Sequence, residues 1–268
     1  MWTISDLFRN YFTHKDFLPD ASLLPGSLFT PLHIFISICC VAIVVLIWFL
    51  LRKKDERTLQ KVFTVFWITT VVAEIVKDIW EIYSCSNMQF EWAGSMPLYP
   101  CSVYMYALPF AIWGKGNVRF AACGYVCTLG LLGGAVNFVY PVTVMSDYSC
   151  ISFAGFHTLF YHGILVLTAM LMLSSGYHSY KGITKSYQLL LPAIPALIQS
   201  IPVHFVNYSP INSDYMFFKM NSFFFAPIGA ATPDWVSTLL VYGIYLFIHA
   251  IPYIPSWIVN RRRLKAKA

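Results

Sequence analysis

Four ionisable side chains lie on one face of an otherwise apolar segment, residues 62–83. Glu74, Lys77, Asp78 and Glu81 are spaced so that a helix aligns them in a single stripe. Charged groups at membrane depth are costly unless they face a protein interior or a wet cavity, so they mark a functional site by default. Three acids and one base leave excess negative charge, and we expect some acids to be protonated or paired with donors from other helices. The alternative is a buried charge network that only fixes helix packing.

The composition identifies the elements that must position this stripe. The chain is 58% hydrophobic, 18% aromatic and only 11% charged, whereas soluble domains are about 25% charged. We therefore expect an all-α polytopic membrane protein with seven transmembrane helices. The predicted spans are 32–51, 62–83, 96–113, 118–141, 151–174, 187–206 and 235–259. Because the connectors are short, any chemistry must use residues on or just above the helices.

The basic residues predict the orientation. When connectors are assigned alternately to two sides, three basic residues fall on one side: Arg9, Lys15 and Lys219. Lys77 is buried, and the other fourteen of the 18 lie opposite: Arg52, Lys53, Lys54, Arg57, Lys61, Lys115, Arg119, Lys181, Lys185, Arg261, Arg262, Arg263, Lys265 and Lys267. The positive-inside rule makes that second side cytoplasmic, with the amino terminus outside and the carboxyl terminus inside. We expect the cell (cytoplasmic) membrane, or the endoplasmic reticulum if the chain is eukaryotic.

Three regions follow from this layout. Residues 1–30 form an outer-face interfacial segment, in which aromatic and polar residues alternate. Residues 31–260 form the seven-helix domain, and residues 261–268 form a basic cytoplasmic tail that can hold anionic headgroups. Such tails are ordinary in membrane proteins, so no nucleic-acid partner is expected. The sequence does not predict the oligomeric state.

The seven cysteines form no CxxC pair and no metal spacing with histidine, so neither a metal site nor a cofactor is expected. Cys85 and Cys150 both fall in outer connectors. They can form a disulfide if that compartment is oxidising.

Polar residues from several spans share one depth. Cys101 lies five residues into the third span, about 8 Å below the outer boundary at the helical rise. The residues expected in the outer half of the bilayer are Asp78, Glu81, Cys101, Asn137, His157, His162, His204 and Asn207. Independent helices have no reason to agree on depth, so we expect a shared cavity.

A thiol at this depth would meet phospholipid ester bonds, which lie at the edge of the hydrocarbon core. Cys101 becomes a nucleophile only if a base or a cation stabilises its thiolate. His162 is the best-placed base, and Asp78, Glu81 or Asn207 is the candidate to hold its ring. The alternative is a packed thiol and a hydrogen-bonded core histidine.

The segment from Ser95 to Ser102 reads Ser-Met-Pro-Leu-Tyr-Pro-Cys-Ser. It resembles the Leu-Pro-Leu-His-Leu-Cys signature of the YwaF-like family, whose animal member is transmembrane protein 164. Tyr99 stands where the family has histidine.

The resemblance extends over nearly the whole chain, including the seven-span layout. It continues in Phe-Tyr-His-Gly around His162, in Asn-Tyr at Asn207, and in Asp-Tyr-Met-Phe from Asp214. The family usually reads Asn-Tyr-Met-Phe-Leu at the last of these, so Asp214 replaces an asparagine.

The resemblance implies a phospholipid acyltransferase in which Cys101 takes the acyl chain and His162 assists, with membrane phospholipids as substrate. Residues expected to support the site or bind substrate are Glu74, Lys77, Asp78, Glu81, Tyr99, Asn137, His157, His204, Asn207, Asp214 and Tyr215.

Two other functions are possible from the residues alone. A small-solute or ion transporter would use the charged stripe and helices broken by proline, although no inverted repeat is visible and the polar groups concentrate on one side. A scaffold or receptor without chemistry would leave the inward-facing acids unexplained.

Overall fold

The computed structural model describes residues 3–89, 95–220 and 226–265, and these ranges contain helices and no strand. Five helices are long and apolar enough to cross a membrane: Pro31–Leu51, Gly116–Val139, Phe153–Ser174, Ser186–Asn207 and Asp234–Leu264. They coincide with five of the predicted spans, which confirms the all-α membrane class. The seven-span count and the orientation stay predictions.

The predicted second span lies within a longer helix, Glu56–Ser84, here called the charged helix. It has 29 residues, or about 43 Å at the helical rise. The Asp55 side chain caps its first turn by accepting the Thr58 N–H at 3.2 Å. The charged helix is not among the five apolar helices.

The third span differs most from its prediction. A helix was expected from about residue 96, but the structure begins it at Val103 and ends it at Trp113. These 11 residues, here called the short helix, extend about 16 Å, less than the roughly 30 Å hydrocarbon core. Pro97 and Pro100 explain the late start, because proline disfavours helical geometry in the residue before it. Cys101 therefore lies in a turn, and its predicted position inside a helix was wrong.

The chain divides into two compact units, each described here by itself. The first comprises Met1–Met96 and Leu131–Leu171, and the second comprises Pro97–Gly130 and Met172–Ala268.

In the first unit, the N-terminal segment is attached to the charged helix. Trp80 Nε1–H donates to the carbonyl oxygen of Phe12 at 2.8 Å, and the Ser86 N–H donates to Asp16 Oδ2 at 2.9 Å. The Ser86 hydrogen bond lowers the pKa of the Asp16 carboxyl. The N-terminal segment, which was expected to lie on the membrane surface, is therefore also hydrogen-bonded to the charged helix and to Ser86 just after it.

In the second unit, the short helix packs against helices Gly116–Tyr125 and Ile194–Asn207. A π-helical turn, Val126–Gly130, follows the former, and such turns often accompany functional sites. Gly124 permits close packing, because a Cβ there would lie 2.7 Å from Pro192 Cγ.

The last apolar helix runs beyond its predicted end at residue 259. Its final part, Ile254–Lys265, includes the three consecutive arginines from Arg261, so the basic tail begins as helix. Residues 266–268 of the predicted tail lie outside the described residues.

A buried histidine in the connector after Ser174 gives the second unit a pH-dependent stability. His178 Nε2 lies 2.6 Å from the Tyr253 hydroxyl, and burial, aided by Arg119, lowers the pKa of His178 from 6.5 to about 4. Its stabilising contribution is complete above pH 6.5 and is lost as the pH falls towards 4, by up to about 1.4 kcal/mol per pH unit. Thermal unfolding of the detergent-solubilised protein across this range measures the loss. His178→Gln should flatten the curve, and an unchanged pH dependence in that variant would contradict this assignment.

Candidate functional site

The charged stripe forms an ion-pair network in the first unit. Lys77 Nζ lies 2.9 Å from Glu74 Oε1 and 3.2 Å from Asp78 Oδ1, and it also donates to the Ser95 carbonyl oxygen at 3.3 Å. The pairing of Lys77 with its neighbouring acids, which the spacing predicts, is confirmed. A partly buried ammonium paired in this way avoids the cost of an isolated charge.

Histidines from other elements approach the acids of this network. His157 Nε2 lies 3.4 Å from Glu74 Oε2. His14 approaches two acids, with Nδ1 3.2 Å from Asp16 Oδ2 and Nε2 3.7 Å from Glu81 Oε1. Sequence reasoning missed His14, since nothing local indicates that residue 14 reaches a helix 67 residues later.

His162 is held in one tautomer by its own helix. Its Nδ1–H donates to the carbonyl oxygen of Thr158 at 2.8 Å, because a carbonyl can only accept. Nε2 is then the unprotonated nitrogen, and it is buried without a hydrogen-bond partner among the described residues. The expectation that Asp78, Glu81 or Asn207 orients this ring was wrong, since the backbone carbonyl one turn earlier binds Nδ1. The arrangement leaves Nε2 able to accept a proton.

Asn137 belongs to the same unit, in helix Leu131–Val139. Its Oδ1 is also buried and without a hydrogen-bond partner in the described part of the chain.

In the second unit, the Cys101 thiol lies two residues before the short helix and is partly exposed. The surrounding turn is closed by the Ser102 N–H donating to the Tyr99 carbonyl oxygen at 2.9 Å, and by the Tyr104 N–H donating to the Cys101 carbonyl oxygen at 3.2 Å. The partial positive charge at a helix N-terminus favours the thiolate over the thiol.

Two tyrosine hydroxyls lie near the Cys101 turn. The Tyr125 hydroxyl donates to the Pro100 carbonyl oxygen at 2.5 Å. Tyr125 and Tyr245 both lie within electrostatic range of Cys101, and Tyr245 is also within range of Asp214. This part of the second unit therefore places two hydroxyl groups near the thiol, and the Tyr245 hydroxyl donates to the Met216 carbonyl oxygen at 2.8 Å.

Asn207 holds the turn that follows Asp214. Its Oδ1 accepts the Tyr215 N–H at 2.8 Å and its Nδ2 donates to the Tyr215 carbonyl oxygen at 2.9 Å. Tyr99 packs edge-on against Tyr215 with ring centroids 4.9 Å apart. Met216 adopts a left-handed backbone with φ 57°, a conformation that persists only where surrounding contacts enforce it. Asn207 and Tyr215, which carry the family resemblance, thus meet Tyr99, which replaces the family histidine.

Lys219 was expected to be an outer-connector charge, but its side chain is only 5% exposed. Its Nζ donates to the Asn207 carbonyl oxygen at 2.6 Å and to Asn212 Oδ1 at 2.7 Å, while its N–H donates to Asp214 Oδ1 at 2.7 Å. Sequence reasoning missed this residue because a single lysine in a connector ordinarily faces water.

Aromatic side chains contact the His204 ring. Its Nε2 lies 2.7 Å from the Tyr242 hydroxyl, and its ring stacks on Phe218 at 4.6 Å between centroids.

Cys85 and Cys150 are free thiols, so the structure does not contain the disulfide considered from the sequence. Burial raises the pKa of Cys150 to about 11, which leaves it unreactive at neutral pH. Among the described residues, no group of three or more His, Cys, Asp or Glu side chains is placed to hold a metal ion.

The predicted site residues are therefore divided between the units. The first holds Glu74, Lys77, Asp78, Glu81, Asn137, His157 and His162, and the second holds Tyr99, Cys101, His204, Asn207, Asp214 and Tyr215. The shared cavity expected from their depth stays a prediction.

The model of the TMEM164 family matches residues 28–260 of this chain. The chain belongs to the TMEM164 family. This match confirms the resemblance carried by the Cys101 segment and covers every predicted site residue. No curated protein and no solved structure matches the chain. Family membership and the apolar helices together identify an integral membrane protein, whereas the particular membrane stays a prediction.

Proposed function

We propose that this TMEM164-family protein is an intramembrane transacylase that moves an acyl chain from a phospholipid to a lysolipid or a similar acceptor. Cys101 is the nucleophile and His162 is the base. The observation that carries the proposal is the position of the Cys101 thiol, which is partly exposed at a helix N-terminus and close to two tyrosine hydroxyls. The free Nε2 of His162 supports the second role.

The reaction has two acyl-transfer steps. His162 Nε2 takes the thiol proton, and the Cys101 sulfur attacks the ester carbonyl carbon, so a C–S bond forms and the ester C–O bond breaks. The departing lysolipid oxygen receives the proton from His162. A hydroxyl of the acceptor then gives its proton to His162 and attacks the thioester, which breaks the C–S bond and regenerates the thiol.

The Tyr125 and Tyr245 hydroxyls lie within electrostatic range of Cys101, but they already donate to the carbonyl oxygens of Pro100 and Met216. The Ser102 amide of the Cys101 turn likewise already donates to the Tyr99 carbonyl oxygen. Each of these groups would have to exchange its backbone acceptor for the oxyanion that forms during each attack.

A small-solute or ion transporter is the second candidate, and the partly buried network of Glu74, Lys77, Asp78 and His157 favours it. Substitutions at different residues distinguish the two functions. Transport requires Glu74 and Lys77 and can dispense with the thiol, whereas acyl transfer requires Cys101.

Purified protein in phospholipid vesicles tests the proposal. A diacyl phospholipid with a labelled acyl chain is supplied with an unlabelled lysophospholipid, and the expected product is the labelled diacyl form of the acceptor. Protein-free vesicles control for spontaneous exchange. Exchange no faster than in those vesicles would contradict the transacylase.

We also propose seven spans with the amino terminus outside, on the basis of the charge bias. Single cysteines at the exposed positions Asn87 and Ala231, in a chain lacking its native cysteines, should react with an impermeant maleimide on intact cells. Cysteines at Arg57 and Lys115 should react only after permeabilisation. The reverse pattern would overturn the orientation.

A further inference from the structure

An apolar groove of about 290 Å³ lies in the second unit, between the short helix and helices Gly116–Tyr125 and Ile194–Asn207. Its lining includes Val103, Ala107, Phe110, Ala121, Ile198 and Gln199. None of its described lining residues is charged. A neutral concave surface of this kind suits an uncharged, flexible ligand.

Side chains at the rim of the groove are exposed on the surface of the second unit. Phe110 is 57% exposed, Val118 55% and Ile198 63%. Val118 and Ile198 belong to helices apolar enough to cross a membrane, so the medium at this rim is lipid hydrocarbon. The molecules with direct access to the groove are therefore membrane lipids.

The groove leads towards Cys101 along two helices. On the short helix its lining begins at Val103, two residues after Cys101. On the neighbouring helix it reaches Ala121 and Ala122, about one turn before Tyr125, whose hydroxyl donates to Pro100 beside Cys101. Both helices thus carry the groove to the end at which the thiol lies.

One wall of the groove contains an unsatisfied polar group. Gln199 Nε2 is buried and has no hydrogen-bond partner among the described residues. Leaving a buried amide donor unpaired is costly, and an oxygen on the bound molecule would relieve that cost. The occupant should therefore combine an apolar chain with a nearby acceptor oxygen.

We propose that this groove holds the acyl chain of the phospholipid donor, with Gln199 donating to a carbonyl oxygen of the same lipid. The inference rests on the proposed transacylase function and extends it, since the groove then selects the length of the chain transferred to Cys101. Within a bilayer, moving a chain from lipid into protein gains little hydrophobic free energy. Selection by length is therefore steric.

A matched pair of exposed isoleucines on one helix tests this selection. Ile198 lines the groove, whereas Ile201, which is 60% exposed, does not. Each variant is incubated with an equimolar mixture of short-chain and long-chain phosphatidylcholines, and the acyl adducts on Cys101 are measured by mass spectrometry. Ile198→Trp should lower the ratio of long-chain to short-chain adducts by roughly tenfold or more, as overpacking predicts. Ile201→Trp should leave the wild-type ratio, and an unchanged ratio in Ile198→Trp would overturn the inference.

A second measurement does not depend on thiol chemistry. Cys101→Ala protein in vesicles is irradiated with a phosphatidylcholine that carries a diazirine at the end of one acyl chain. Cross-links should concentrate on peptides containing Phe110 and Ile198 and should fall in Ile198→Trp but not in Ile201→Trp. These cross-links without any Cys101 adduct in wild-type protein would retain the groove as an acyl-chain site and reject the transacylase. Cross-links spread evenly over lipid-facing helices would reject the groove.

Discussion

Cys101→Ala is expected to reduce acyl exchange between lipids in vesicles by roughly 10³-fold or more, because removal of a covalent nucleophile leaves only binding and oxyanion stabilisation. His162→Ala should lower the rate by about 10²-fold to 10⁴-fold, the usual contribution of a general base. Initial rates at equal amounts of reconstituted protein measure both effects.

Cys123→Ala is the matched control for the loss of a thiol, since Cys123 lies in the same unit and is buried. It should retain the wild-type exchange rate. Circular dichroism and thermal unfolding of each variant would confirm that the fold is preserved. Full exchange activity in Cys101→Ala would reject Cys101 as the nucleophile, whereas the absence of exchange in the wild-type protein would favour transport.

Lys77→Met is expected to destabilise the protein by about 1–3 kcal/mol, because it leaves partly buried carboxylates without their cation. Glu74 retains His157 at 3.4 Å, so Asp78 carries most of the uncompensated charge. The expected compensation is protonation of an acid in the network, which makes the loss smaller at low pH. Chemical denaturation in detergent at neutral and acidic pH measures the loss of stability and its dependence on pH.

The double variant Lys77→Met/Asp78→Asn removes both partners of this ion pair and should recover part of the lost stability. Lys61→Met, on the same helix at an exposed position, should change stability by less than about 0.5 kcal/mol. If Lys77→Met and Asp78→Asn each leave stability and activity unchanged, the stripe does not act as a network.

Local patterns in the sequence predicted the parts of the structure that depend on local interactions. Runs of apolar residues located five membrane helices to within a few residues, because hydropathy determines which segments cross a bilayer. The pairing of Lys77 with Glu74 follows from a spacing of three residues on one helix. Both the apolar helices and this ion pair depend on residues that are close together in the sequence.

The missed features depend on contacts between distant residues or on proline geometry. The pairing of His14 with Glu81 and the hydrogen bond from Lys219 to the Asn207 backbone cannot be read from periodicity. The turn at Cys101 had a local signal in Pro97 and Pro100, but high hydropathy across 96–113 outweighed it. Its consequence is functional, since the thiol lies before a helix N-terminus and not within a helix.

The mass of the protein after incubation with phospholipid shows whether Cys101 accepts an acyl chain. Wild-type protein is mixed with a phosphatidylcholine of known acyl composition in the absence of an acceptor, quenched in acid and digested. We expect an added acyl mass on the peptide containing Cys101, removable by hydroxylamine and absent from Cys101→Ala. Acyl exchange without any adduct on Cys101, or an adduct on a different residue that persists in Cys101→Ala, would contradict it.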